Sequence, residues 1–507
     1  MRHLAVLTVL ATSIALTTPV AWAAPIPAQP ATDIRPSTKN DPNGDANPFH
    51  LMQVEEKLFF IAETDRGPAL YVRDIAHTEV DGAPVIEMVG RKLRPKLLKH
   101  FKKDQEFDNQ IVGAYMEGLG STGGATSNGA LYFHAPGFGL FASRGTRGTT
   151  KLIAKVDKKD EPDTWMTGLI YVPQSSSTTH QLLFAALDPG RGSKGRELFT
   201  SRAKVDDTSS SPIFDKKHTG IFSDILAGSE SSDPKEIVAS SNHVYFSAIS
   251  AVTNKREIFL SEDNGEPTPV SENLGFAQGL ATRGDSCLFA GPSTVNGETD
   301  LYAATSTETT KLTTEGVSPQ HITATGLQYL FSGRMGMTGR ELGRVNGFDF
   351  TVSPVADINP GPGSSDPDQF LAIDGGAAFL TAFDGTARRL YRADGSVVEL
   401  IRASDGSLLT VDATHEKVNI RGTLYFTATK AGESVPWLWR LGQFTSDAIR
   451  VNTPAGFPVT GATNLFEYKI GSRLYFSCDG TGTEFVTEDA DDKRLRPRGR
   501  ELWVTAE

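Results

Sequence analysis

The chain has 507 residues, 38% hydrophobic and 22% charged, with 61 acidic against 50 basic side chains and a net charge of −11. That negative excess argues against a general nucleic-acid or anionic-membrane role, and beyond the N-terminus no apolar run is long enough to span a bilayer. The two cysteines, Cys287 and Cys478, fall in nonadjacent copies of the repeat described below, so two buried thiols are expected and burial must hold the fold without a crosslink.

Residues 1–23 open with Arg2 and His3, continue with an apolar stretch from Leu4 and end at Ala21-Trp22-Ala23. This is the pattern of a secretory signal, which places the mature protein in the periplasm or outside the cell. Residues 24–48, rich in Pro, Asn and Asp, read as a tether leading into a ring-closing strand.

From 49 to 507 a pair of apolar triplets recurs nine times. The first triplets end at Phe60, Phe133, Phe184, Phe246, Phe289, Phe331, Leu380, Phe426 and Phe476. Their partners end at Tyr71, Phe141, Phe199, Phe259, Tyr302, Gly343, Tyr391, Trp439 and Trp503. The triplets are short, aromatic and bounded by turn residues such as Asp384-Gly385 and Asp394-Gly395, which fits strands joined by tight turns. Residues 369–402 parse as four strands, 369–373, 377–382, 388–393 and 397–403. Four strands per copy is the blade of a β-propeller. The expectation is therefore an all-β fold, a single large β-propeller of eight or nine four-stranded blades, the copy ending at Gly343 being the one that could be absorbed. Two smaller rings are the alternative, although no linker separates the copies.

The last copy stops just after its third strand, leaving an edge. Near the N-terminus TDIRPSTKNDP (32–42) reads like ADINPGPGSSDP (356–367) and SDILAGSESSDP (223–234), elements that close one blade and lead into the next. Asp33-Ile34 is thus expected to pair with the C-terminal blade and close the ring.

Three insertions interrupt the pattern, near 91–110, 204–219 and 484–498, while copies five to eight read as compact. The first carries Arg91, Lys92, Arg94, Lys96, Lys99, Lys102 and Lys103 around Leu97, Leu98 and Phe101, and reads as a short cationic helix between blades one and two. A solvated helix is the plain account and an acidic partner the functional one. The third is acidic first and basic after, with Arg494, Arg496 and Arg498. Blade topology would put both on one face and ring closure on one side of it, making these ten basic residues the candidate binding surface.

The copies GRELW (499–503), SRGTRGTTKLI (143–153) and 356–367 resemble the secreted ELWxxDGT-repeat (hyalin-like repeat) proteins across nearly all of the mature chain, with Arg144 where the family pattern has Asp. The resemblance implies a repeat-built extracellular β fold and no established activity.

Metal and nucleophile motifs are missing: there is no H-E-x-x-H, C-x-x-C, P-loop or G-x-S-x-G elbow, and the Gly-rich GLGSTGG (118–124) lacks the lysine of a phosphate cradle. His134, just after its triplet, is read as a hydrogen-bonded strand histidine ahead of a catalytic base. Glu197, Glu341 and Glu501, each preceded by Arg, recur at matched positions and are expected to make intrablade or interblade ion pairs. The acidic loops 40–47 and 488–493 are candidate calcium sites without EF-hand spacing, solvated loops being preferred, so no cofactor is expected. Together these point to a secreted or periplasmic, monomeric binding or scaffold module for an extracellular or envelope protein or polysaccharide. The alternatives are a propeller enzyme, a glycan hydrolase or lyase acting at the central channel, and a structural matrix component.

Overall fold

The computed structural model describes residues 29–30, 48–54, 57–62, 68–74, 78–80, 83–85, 96–100, 131–135, 138–143, 145–156, 166–172, 179–187, 195–204, 219–240, 243–263, 265–271, 274–336, 339–412, 414–442, 445–452, 459–468, 473–479 and 500–506. They form nine antiparallel blades. Blade one comprises Phe49–Val54, Lys57–Ala62, Ala69–Asp74 and Lys96–His100. Blade six comprises Gln320–Thr325, Gln328–Arg334, Arg340–Asn346 and Val352–Ala356. Blade seven follows with Asp368–Ala372, Ala378–Phe383, Arg388–Ala393 and Val398–Leu400. Blade eight has Lys417–Ile420, Thr423–Lys430, Trp437–Leu441 and Asp447–Arg450. Blade nine has Thr463–Tyr468, Arg473–Asp479 and Arg500–Ala506. Blades three, four and five are four-stranded as well; three strands of blade two are described.

The repeated triplets account for the blades directly. All nine triplet ends face each other across the second and third strands, from Phe60 opposite Tyr71 to Phe476 opposite Trp503. Six of these pairs are stacked rings, with centroids 5.3 Å apart for Phe133 and Phe141 and 6.4 Å for Phe476 and Trp503. Such a pair contributes about 0.5–1.5 kcal/mol beyond its buried area. Gly343 is not a lost aromatic. A Cβ there would lie 2.5 Å from Phe331 Cζ, so the phenyl ring fills the space that a partner ring fills elsewhere. The copy ending at Gly343 is accordingly a complete blade and is not absorbed.

Blades pack on one another through nine hydrophobic clusters, each shared by two consecutive blades. One of them joins Tyr475 and Val504 of blade nine to Leu51, Leu58 and Phe60 of blade one, so the series returns on itself. Among the described residues the first strands of blades three to nine touch in succession, as do those of blades nine and one, and these line the axis. Because the chain reverses at each turn, loops between second and third strands leave on the same face as the interblade connections. That face is called upper here, and the other connections form the lower face.

Two expectations change, the helix after blade one and the compactness of blade eight. Lys96–His100 is not a helix but the fourth strand of blade one, with Leu70 opposite Lys99 and Tyr71 opposite Leu97. The unpaired edge of Ala69–Asp74 offers backbone partners, and a helix only five residues long is too short to compete with them. The basic segment is thereby divided: Arg91, Lys92 and Arg94 precede this strand, Lys96 and Lys99 belong to it, and Lys102 and Lys103 follow it. At the outer edge of blade nine, Gln29 and Pro30 pair with Val504 and Trp503; Asp33 and Ile34 lie outside the described residues. Finally, blade eight is not compact: Arg402–Ala403 adds a parallel strand beside Asp447–Arg450, and Leu409–Thr410 pairs with Lys430 and Thr429.

Candidate functional site: the rim between blades seven and eight

The Arg-Glu pair that recurs at 196–197, 256–257, 340–341 and 500–501 has a structural task that the sequence suggests only in part. Glu341 is buried, and its carboxylate accepts the Ile358 and Ser365 amides, both at 2.8 Å, and the Ser365 hydroxyl at 2.6 Å. Glu197 does the same with Ile225 (3.0 Å) and Ser232 (2.8 Å and 2.6 Å). Each glutamate thus ties down the connection to the next blade, and burial pushes its carboxyl upward. The preceding arginine is not its partner. Arg256 and Arg388 each donate to the carbonyl of a left-handed residue in the connection entering their own blade, Asp233 (φ 48°) and Asp366 (φ 45°), at 3.0 Å. The ion pairs that exist run to those aspartates, Arg256 to Asp233 at 2.8 Å and Arg340 to Asp366 at 3.8 Å.

Blade seven departs from this scheme. Arg389 occupies the glutamate position, is buried, and donates to Asp384 (3.0 Å), the Leu409 carbonyl (3.3 Å) and the Thr410 hydroxyl (2.9 Å). With a cation in place of an anion, the connection must present acceptors where the others present amides. This is the segment that carries the two extra strands of blade eight.

The inner strands show a second departure at the same junction. The first strands of blades three to seven and nine carry a bulge whose second residue is left-handed: Gly168, Glu236, Gly279, His321, Gln369 and Asn464. Holding a residue other than glycine there costs on the order of 1 kcal/mol. These side chains stitch blades at the rim: Glu236 accepts the Leu280 amide at 2.9 Å, and His321 Nδ1 lies 3.3 Å from Asp368 Oδ1. Blade eight has a regular pairing instead, and Glu416 takes over the task by accepting the Leu465 amide at 2.7 Å.

The residue after the bulge is apolar and turned into the interblade core in seven blades, as Leu51, Leu169, Ile237, Leu280, Ile322, Phe370 and Leu465. In blade eight it is Lys417. Burial lowers the Lys417 ammonium from near 10.5 to about 8, the Asp368 carboxylate drawing it partly back. Its hydrogen-bond partner is His415 Nε2 at 3.5 Å. His415 is itself buried, its Nδ1 lies 3.2 Å from the Asp412 carbonyl, and burial and the Lys417 charge lower it to about 4. The imidazole is therefore neutral at pH 7, with Nδ1–H donating to Asp412 and the Nε2 lone pair facing Lys417. A partly exposed ammonium held by one long hydrogen bond retains donors for a ligand. The first strand starts from an interblade connection, so this group stands at the upper end of the channel wall.

Of the ten basic residues read from the sequence, Lys96 and Lys99 are described, and the other eight lie outside the described residues. Lys99 is partly buried with Nζ 4.1 Å from the centre of the Phe141 ring, and burial lowers its ammonium. It thereby helps join blades one and two. His134 is a buried residue of a second strand, paired opposite Leu140. Glu501 belongs to the third strand of blade nine; the loops 40–47 and 488–493 lie outside the described residues. Among the described residues no group of three His, Cys, Asp or Glu side chains is placed to hold a metal ion. Both cysteines are buried free thiols. Sequence reading passed over Lys417, although a signal exists: it stands nine residues before Phe426, as Ile237 and Ile322 stand before Phe246 and Phe331.

No protein-family model and no curated protein matches the chain. Solved structures do. The chain is similar to a prolyl endopeptidase from a study of inter-domain dynamics in two such enzymes (11% identity, 87% of this chain and 55% of that one, TM-score 0.39). It is also similar to oligogalacturonate lyase from Vibrio parahaemolyticus (11% identity, 73% and 91%, TM-score 0.34). A third is the β-propeller domain of the trilobed protease from Pyrococcus furiosus (11% identity, 81% and 100%, TM-score 0.36). The chain thus spans about half of the prolyl endopeptidase. At such identities the likeness is one of fold alone: this is a nine-bladed β-propeller. No helix among the described residues is long and apolar enough to cross a membrane.

Proposed function

We propose that the protein is a secreted or periplasmic binding module that engages an extracellular or envelope partner, a protein or polysaccharide, on its upper face. The observation that carries this reading is the junction of blades seven and eight. There the repeat gives up its glutamate, its bulge and an apolar core residue at once, and gains a partly exposed amine at the channel rim. Loops and rims held by a rigid scaffold are where such proteins bind.

A propeller enzyme is the second reading, because His415 and Lys417 are perturbed groups meeting at a channel mouth. Glycoside hydrolysis, however, uses two carboxyl groups flanking one bond. The nearby carboxylates are committed, Glu416 to the Leu465 amide and Asp368 to His321 and to its neighbour's amide. Binding is the better account.

The test is capture from envelope and glycan fractions with the mature protein, a Lys417→Met variant and a variant with Lys102 and Lys103 changed to Ala. Loss of one specific partner with Lys417→Met supports a binding role at the rim, and loss with the double variant moves the surface to the basic segment. Turnover of a captured glycan by the wild type would replace binding with catalysis.

A further inference from the structure

We infer that Lys417, backed by the neutral His415, is the seat of an oxyanion on the ligand, a carboxylate of an acidic sugar or a phosphate of an envelope polymer. The inference rests on the binding reading above and names the chemistry of its ligand.

Three observations converge on it. First, seven blades show that an apolar side chain satisfies the fold at this position, so the ammonium is not there for packing. Second, its neighbours leave its charge incompletely answered. On its own blade it meets the uncharged His415. From blade seven, Asp368 acts on it without a direct ion pair and is itself shared with His321. Arg388, whose charge also reaches His415, adds positive potential on the blade-seven side. Third, Nδ1 of His415 is anchored on Asp412, so the imidazole accepts from Lys417 and holds the amine in place. A ligand oxyanion supplies the missing negative charge and accepts the remaining N–H groups in a low-dielectric setting, where a charge-assisted hydrogen bond is about twice as strong as a neutral one.

Modification of lysines by acetic anhydride at pH 8, read residue by residue by mass spectrometry, tests this. The reaction is run in 50 mM glucuronate, inorganic phosphate or chloride at equal ionic strength. Lys417 is expected to be protected at least threefold by glucuronate, by phosphate or by both, relative to chloride, while the other lysines keep their rates. Glucuronate alone identifies a sugar carboxylate, phosphate alone a phosphate polymer, and both an oxyanion seat without that discrimination. Equal labelling in all three salts overturns the inference. Lys417→Met provides the second arm, since Met matches the apolar residues of the other blades: it should remain folded and lose partner capture at least tenfold. A folded Lys417→Met protein that captures its partner unchanged overturns the oxyanion seat and leaves a binding module with its site elsewhere. No capture by the wild type, with Lys417 still protected, counts against the partner reading and not against the seat.

Discussion

Replacing Lys417 by Met should make the protein more stable, which separates a lysine kept for function from one kept for structure. Burial moves this ammonium from near 10.5 to about 8, a difference worth about 3 kcal/mol at 1.36 kcal/mol per unit. The sign follows from linkage. Between pH 8 and 10.5 the unfolded chain holds the proton and the folded chain has lost it, so the burden is full below pH 8 and fades as pH rises through that window. Methionine removes the burden at pH 7 but leaves His415 Nε2 without its donor, at a cost of about 1 kcal/mol. The net gain at pH 7 is therefore about 2 kcal/mol. At pH 9.5 the wild type has recovered about 2 kcal/mol, and the advantage should almost vanish. Guanidinium unfolding of both proteins at the two pH values measures this. A variant less stable at pH 7, or an advantage equal at both pH values, would refute the reasoning by showing that Lys417 holds the junction together.

Other predictions concern the remaining devices of the fold. His415 should weaken the protein in acid: its imidazole is lowered from 6.5 to about 4, so the unfolded state takes up the proton first and stability falls by up to about 3 kcal/mol from pH 6.5 to pH 4, a slope that His415→Gln should flatten in pH-dependent melts. Glu341→Gln turns an amide donor toward the Ile358 and Ser365 amides and should cost about 2 kcal/mol, with faster hydrogen exchange confined to the 358–365 connection. Gly343→Ala, which drives a methyl against Phe331, should cost about 1–3 kcal/mol and be rescued by Phe331→Leu, whereas Phe331→Leu alone should lose stability. Removal of residues 1–30 should speed exchange of whichever of the consecutive Trp503 and Val504 amides points to the edge that Gln29 and Pro30 cover, the other facing Arg473–Asp479, and unchanged protection of both would show that the edge needs no partner.

The nine pairs of apolar triplets were legible because a cross-strand pair is local: two strands joined by a short turn must place fixed positions opposite one another, and the chain repeats that spacing. Strand order within a blade followed from the same pattern, which left the blade count at eight or nine until the structure showed that the Gly343 copy is a full blade. Lys96–His100 was misread because five residues rich in lysine and leucine carry no decisive period, and only the free edge of Ala69–Asp74 makes them a strand. The tasks of Glu197, Glu341 and Arg389 were out of reach for a different reason. Each acts on backbone groups of a connection 17 to 35 residues further on, whose fold no spacing rule supplies.

By itself, then, the sequence determined a repeated four-stranded unit, an all-β ring and a net negative charge, all properties of local pattern and composition. The tertiary structure alone decided which connections reach which face, what the recurring Arg and Glu hold, and that one lysine among equivalent apolar residues stands in the wall between blades seven and eight. The reason is physical. Side chains on first strands meet neighbours from another blade, and the chemistry of Lys417 comes from burial beside His415 and Asp368, which only assembly of the ring brings about.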